Sequence, residues 1–152
     1  MIRRALEALA RRLPEPEEIN GGKRCPTYLF RWEMLSLLGG RYRVYLHKFI
    51  GDDWALDLHD HPKRFTSIGL AGSYLEHTDD GAKRFDAPWF RSWRGEHRHR
   101  LTGPTAELPC WTIVIVGPAV REWGFWSGDR WVFWRDYVAA GSPYARTTCE
   151  AV

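Results

Sequence analysis

From residue 42 onward the chain alternates apolar and polar side chains with the period of a strand. Tyr42–Ile50 places Tyr45, His47 and Phe49 on one face and Val44, Leu46 and Lys48 on the other. Trp54–His61 predicts the next strand, closed by Pro62. Phe65–Leu70 and Tyr74–Thr78 predict a hairpin about Gly72, and Asp79-Asp80-Gly81 predicts a further turn. Trp89–Trp93 and Glu96–Leu101 predict short strands. Cys110–Val116 (CWTIVIV) is continuously apolar, which predicts a strand buried on both faces. Glu122–Trp126 and Trp131–Tyr137 complete the series. Many short strands punctuated by Gly and Pro indicate a mainly all-β fold, a sandwich or small barrel.

Upstream the period changes. Ile2, Ala5, Leu6, Leu9 and Leu13 fall on one side of a helix carrying Arg3, Arg4, Arg11 and Arg12, and Pro14 and Pro16 stop it. Residues 15–26 are polar, contain Gly21-Gly22 and read as a loop. Thr27–Leu38 stays ambiguous: Tyr28, Phe30 and Trp32 alternate, whereas Met34–Leu38 is apolar without alternation. The expected organisation is a short N-terminal helix and loop (1–26), one β domain (27–140) and a flexible tail (141–152).

With 152 residues, one domain with a real core is expected. Nine Trp, seven Phe and six Tyr supply enough amphipathic aromatic surface for a cavity wall as well as a core. A net charge of +3 permits an anionic substrate but falls short of the basic stripe of a nucleic-acid binder. The basic helix is better read as docked on or frayed from the body than as a nucleic-acid contact. No apolar run reaches membrane-spanning length. Cys25, Cys110 and Cys149 stand at no metal-ligand spacing, and their odd number predicts reduced thiols and a cytoplasmic location.

The chemistry concentrates in histidine pairs. On a strand His59 and His61 point the same way, which makes half of a metal site. His97-Arg98-His99 repeats the pattern. His59, His61 and His97 are the expected ligands, leaving open positions on the ion as in a catalytic site. His99 is then a fourth ligand or a hydrogen-bond partner, and Asp57 is expected to orient His59. Tyr74 and Glu76 share a strand face and are candidates for hydrogen-bond donor and acid/base. Arg64, Arg84, Arg121 and Arg135 are candidate anion ligands, each more often structural. His47 reads as a packed histidine and His77 as exposed. The tryptophans from Trp111 to Trp134 read mainly as packing.

The order of these elements resembles the cupin superfamily of double-stranded β-helix barrels. Its first motif runs G, five residues, H-x-H, three or four residues, E, six residues, G. Here His59-Asp60-His61 is followed by three residues, Phe65, six residues and Gly72. Phe65 stands in the place of the glutamate, and Gly51 lies two residues too far upstream. Phe90–Leu101 (FRSWRGEHRHRL) aligns with the second motif, P-x-G-x-x-H-x-x-x-N, with His97 as its histidine; Ser92, Arg94 and Leu101 depart from it. LHDHP, PCWTIVIVGP and REWGFW also resemble small cupin-like proteins of phage and bacterial genomes. The resemblance implies a divalent metal ion, Fe(II) foremost, with Zn, Ni, Mn or Cu equally held by imidazole. A three-histidine site resembles that of thiol dioxygenases and other dioxygenases, implying a dioxygenase acting on a small, possibly anionic, organic substrate. The alternatives are a redox-neutral isomerase, epimerase or lyase in which Glu76 or His99 moves the proton, and a non-catalytic small-ligand binder. Paired edge strands are compatible with a homodimer.

Overall fold

A computed structural model describes residues 1–21 and 25–149. Its elements in chain order are α1 (Ile2–Ala10), β1 (Glu17–Ile19), β2 (Leu29–Leu37), β3 (Tyr42–Phe49), β4 (Leu58–His59), β5 (Lys63–Ala71), β6 (Ser73–Thr78), β7 (Gly81–Asp86), β8 (Trp89–Trp93), β9 (Arg100–Thr102), β10 (Cys110–Ala119), β11 (Gly124–Ser127), β12 (Arg130–Phe133) and α2 (Trp134–Val138). They form a six-stranded sheet in the order β1-β2-β3-β10-β5-β8 and two three-stranded sheets, β12-β11-β4 and β7-β6-β9. The pairings are antiparallel. The sheets do not join into the closed barrel expected from sequence.

The two periods of the sequence explain the layers. The outward residues Trp32, Leu46, Ala71 and Trp111 form a core cluster with Leu6 and Ala10 of α1. Trp32 and Trp111 stack at 6.0 Å, and Lys48 pairs with Glu7 of the helix at 2.6 Å. The basic helix is therefore docked on the body. The alternate residues Tyr45, His47, Phe49, Thr112 and Val114 face a cavity beneath the sheet. Gly72, at φ +83°, makes the tight β5–β6 turn, where a Cβ would stand 2.3 Å from the carbonyl oxygen of Pro109. That turn carries the chain from the large sheet to β6, which holds Tyr74 and Glu76.

Several local expectations are corrected. Residues 17–19 pair as β1 inside the expected loop. Trp54–His61 is mostly irregular; only Leu58–His59 is strand, with Ala55 bridged to Thr147. Glu96–Leu101 is strand only from Arg100 onward, as β9, preceded by the isolated bridge of His99 to His59. Gly81–Asp86 is a strand that alternation could not reveal, because five of its six residues are exposed. Trp131–Tyr137 divides into β12 and α2.

The expected loose tail is fastened as far as Cys149. Leu56 N–H donates to the Arg146 carbonyl and Thr148 N–H to the Trp54 carbonyl, both at 2.8 Å. Cys25 and Cys149 form a disulfide, and Cys110 remains a buried free thiol. The odd cysteine count predicts reduced thiols throughout; two of the three are instead paired, which removes the ground for expecting a cytoplasmic location. Among the described residues no helix is long and apolar enough to cross a membrane.

Candidate metal centre

His59 and His61 are held in place by the residue between them. Asp60 is 1% exposed. Its Oδ1 accepts the Gly124 N–H at 2.8 Å, and its Oδ2 accepts Trp131 Nε1–H at 3.1 Å and pairs with Arg121 at 3.0 Å. With Asp60 turned away into β11–β12, both histidines line the cavity. Arg121 also donates to the carbonyls of His61 and Gly95. Gly95 must be glycine here: a Cβ would lie 2.6 Å from the His61 carbonyl oxygen.

His99 joins them through the backbone. His59 N–H donates to the His99 carbonyl at 2.9 Å and His99 N–H to the His59 carbonyl at 3.0 Å. This bridge sets the two rings 5.2 Å apart. His99 Nε2 lies 3.0 Å from His61 Nε2. One ligand nitrogen from each of His59, His61 and His99 falls within 4.8 Å of the other two.

The other side of His99 belongs to Glu76, which is 3% exposed. Glu76 Oε1 accepts His99 Nδ1–H at 2.8 Å and His97 Nε2–H at 3.0 Å, and its Oε2 accepts Arg91 Nη1–H at 2.8 Å. A carboxylate only accepts, so Nδ1 of His99 carries the proton and Nε2 presents its lone pair. His97 thus approaches the group from behind Glu76. It lines a separate depression of about 520 Å³ with Glu76, Asp79 and Arg91. Glu76, His97 and His99 form a second group within 4.8 Å, but both oxygens of its carboxylate are already engaged.

Electrostatics favour neutral ligands. Burial first, and then the neighbouring histidines, push His59 down to about 3 and His61 well below its ordinary value. His99 is lowered by burial although Glu76 opposes the shift. Burial raises the Glu76 carboxyl, but the hydrogen bonds from His97, His99 and Arg91 together outweigh it and hold the group below the usual carboxylate range.

The remaining candidates are placed as follows. Tyr74 is buried and lines the main cavity, its phenol raised by burial. Asp57 does not orient His59; it accepts the Tyr137 hydroxyl at 2.7 Å and Arg146 at 3.1 Å. Asp53 is the carboxyl beside His59, with 3.9 Å between Oδ2 and Nδ1. It accepts the Leu101 N–H at 2.7 Å, and burial raises it to about 7. Phe65, in the family's glutamate position, packs its ring 4.5 Å from that of His61 and stacks on Trp93 at 5.0 Å. His77 is tied to Thr102 at 2.8 Å. Arg84 pairs with Asp86 at 2.9 Å and Arg135 lies over the Trp134 ring. The cavity arginines are instead Arg31 and Arg43, which sequence reasoning missed.

The residues fit a cation. Two nitrogens each about 2.1 Å from one ion stand roughly 3.0–3.4 Å apart, and the His61–His99 separation of 3.0 Å falls in that range. The group opens on a cavity of about 560 Å³, the size of a small-molecule site.

No family model and no curated relative matches the sequence. Solved structures match the fold. A sugar phosphate isomerase of the cupin superfamily from Silicibacter pomeroyi is similar at 12% identity over 68% of this chain and 67% of its own, with a TM-score of 0.52. The DMSP lyase DddQ from Ruegeria pomeroyi is similar at 16% identity over 76% of this chain, with a TM-score of 0.57; the match spans 61% of the lyase. The polyketide cyclase RemF from Streptomyces resistomycificus is similar at 14% identity over 88% of this chain and 80% of its own, with a TM-score of 0.54. These likenesses speak for architecture alone, and the architecture is the cupin fold.

Proposed function

We propose that the protein is a metal-dependent enzyme acting on a small, anionic organic molecule at a centre held by His59, His61 and His99. Three imidazoles converging at the wall of one cavity carry this reading. A divalent ion bound there supplies Lewis-acid polarisation of a substrate oxygen or, if it is iron, one-electron chemistry. The protein's own groups do the positioning. Glu76 orients His99 through Nδ1, and His97 and Arg91 hold Glu76. Glu76 is therefore a positioning residue rather than the acid/base. Tyr74, kept neutral by burial, is the hydrogen-bond donor on the cavity wall. Phe65 and Trp93 exclude water beside His61.

A redox-neutral reaction, such as isomerisation, elimination or cyclisation, is the first reading. The similar folds named as an isomerase, a lyase and a cyclase support it. An Fe(II) dioxygenase is the second. Its support is that Phe65 replaces the carboxylate that would offset part of the ion's charge, leaving three neutral ligands. The test is turnover of a panel of sugar phosphates, hydroxy acids, oxo acids and thiols by protein loaded with Zn(II), Mn(II), Ni(II) or Fe(II), with and without oxygen. Activity without oxygen on a redox-inert ion supports the first reading. Oxygen uptake confined to Fe(II) supports the second. No bound metal after anaerobic loading contradicts both.

A further inference from the structure

The cavity has a second polar patch, on the six-stranded sheet. Arg31 of β2, His47 of β3 and Thr112 of β10 are successive register partners across three antiparallel strands. Directly opposed residues project from the same face, and all three line the cavity. His47 is 8% exposed and Thr112 1%. Among the described residues neither ring nitrogen of His47 nor the hydroxyl of Thr112 has a hydrogen-bond partner.

Buried polar atoms are nearly always paired, so three unpartnered ones in one row call for an external partner. The ring of His47 is fixed between Tyr45 and Phe49, at 6.0 and 5.7 Å. Burial first, and then the charge of Arg31, lowers His47 to about 3, so it is neutral and offers one N–H and one lone pair. Thr112 offers an O–H. Arg31 is held by Glu17 through two N–H bonds of 3.0 and 2.7 Å, and its guanidinium lies over the Tyr45 ring. Two donors beside a guanidinium suit an acceptor-rich, negatively charged group.

We infer that Arg31, His47 and Thr112 form the subsite that anchors the oxyanion head, carboxylate or phosphate, of a small organic substrate. This rests on the reading of the three-histidine group as the reacting centre, toward which the other end of the substrate extends. The apolar lining of the same cavity, with Phe49, Phe65 and Val114, receives the carbon skeleton. His47 and Thr112 are specificity-determining residues in this scheme.

The test is calorimetric titration of the full chain with malonate as the carboxylate probe and inorganic phosphate as the phosphate probe, in metal-free and Zn(II)-loaded protein. Thr112→Val preserves shape and removes one donor; His47→Phe removes the imidazole, and His47→Gln restores a donor. We expect T112V and H47F to weaken binding of the preferred probe roughly tenfold to a hundredfold, with partial recovery in H47Q. The probe that shows this dependence identifies the head group. Unchanged affinity in T112V and H47F, or no binding of either probe to the unsubstituted protein, overturns the subsite. Zn(II) stoichiometry is read separately. A protein that fails to bind Zn(II) but loses probe affinity in T112V keeps the subsite and loses the metal reading. Should H47F fail to fold, T112V alone decides.

Discussion

His59-Asp60-His61 and His97-Arg98-His99 are the same pattern written twice, yet they are used differently. The first delivers both imidazoles to one cavity. The second divides them: His99 faces His61, while His97 reaches Glu76 from the far side. The backbones explain the split. His59 lies in β4, paired with Phe125, and Asp60 continues the contact with Gly124. His97 sits in a turn, its N–H bonded to the Arg94 carbonyl, and pairing begins only at His99. The middle residues differ as well. Asp60 is a buried anchor with three partners, whereas Arg98 is a half-buried side chain ion-paired with Asp79 and lying over the Trp126 ring. A spacing of two gives a shared site only where the backbone is held on both sides, as that of His59, Asp60 and His61 is by N–H bonds to the carbonyls of His99, Gly124 and Gly95.

That contrast is open to direct attack. Asp60→Ala leaves the Gly124 N–H and Arg121 without their buried partner and is expected to cost about 3–5 kcal/mol, measured by urea unfolding. A loss under 1 kcal/mol would mean that Asp60 does not hold the first pair. Glu76→Gln weakens the link that His97 and His99 share. It is expected to lower Zn(II) affinity about tenfold to a hundredfold in a competition assay with a chromogenic chelator. Unchanged affinity would detach Glu76 from the centre.

Acid separates the buried histidines from the unfolded chain. His59 protonates near its ordinary 6.5 when unfolded but only at about 3 when folded, so between these values unfolding takes up a proton and stability falls as pH falls. His47, His61 and His99 are lowered too and act in the same sense. Asp53, raised from 3.8 to about 7, acts oppositely, since the folded chain keeps its proton there; one group stands against four. Metal-free protein is therefore expected to lose stability from about pH 6 to 4, and His59→Gln to flatten the slope by about 1.4 kcal/mol per pH unit. An unaltered slope in H59Q would contradict the neutral state of that half-buried ring. The smallest effect belongs to Arg98→Ala, expected to cost less than about 1 kcal/mol because its ion pair is partly exposed.

Much of this was legible in the sequence. Alternation in Tyr42–Ile50 put Tyr45, His47 and Phe49 on one face of β3, without telling that this face lines the cavity, and the apolar run at Cys110 marked a buried strand. The helix itself followed from its period and its proline stop; that it docks on the body rather than fraying from it is seen only in the packing of Leu6 and Ala10. What stayed hidden depends on contacts between distant residues. Gly81–Asp86 pairs by its backbone while its side chains face solvent. Asp57, on the expected face beside His59, is drawn away by Tyr137 and Arg146, 80 and 89 residues later. The grouping of His99 with His59 rests on a single isolated bridge, which no local pattern encodes. The Cys25–Cys149 bond closes a loop across 124 residues, beyond the reach of counting cysteines.

The most direct test compares His97→Ala with His99→Ala in metal content after anaerobic loading and removal of free ion. The account predicts one equivalent retained by H97A, as by the unsubstituted protein, and essentially none by H99A. Retention by H99A together with loss by H97A would contradict it, and would move the centre to the far side of Glu76.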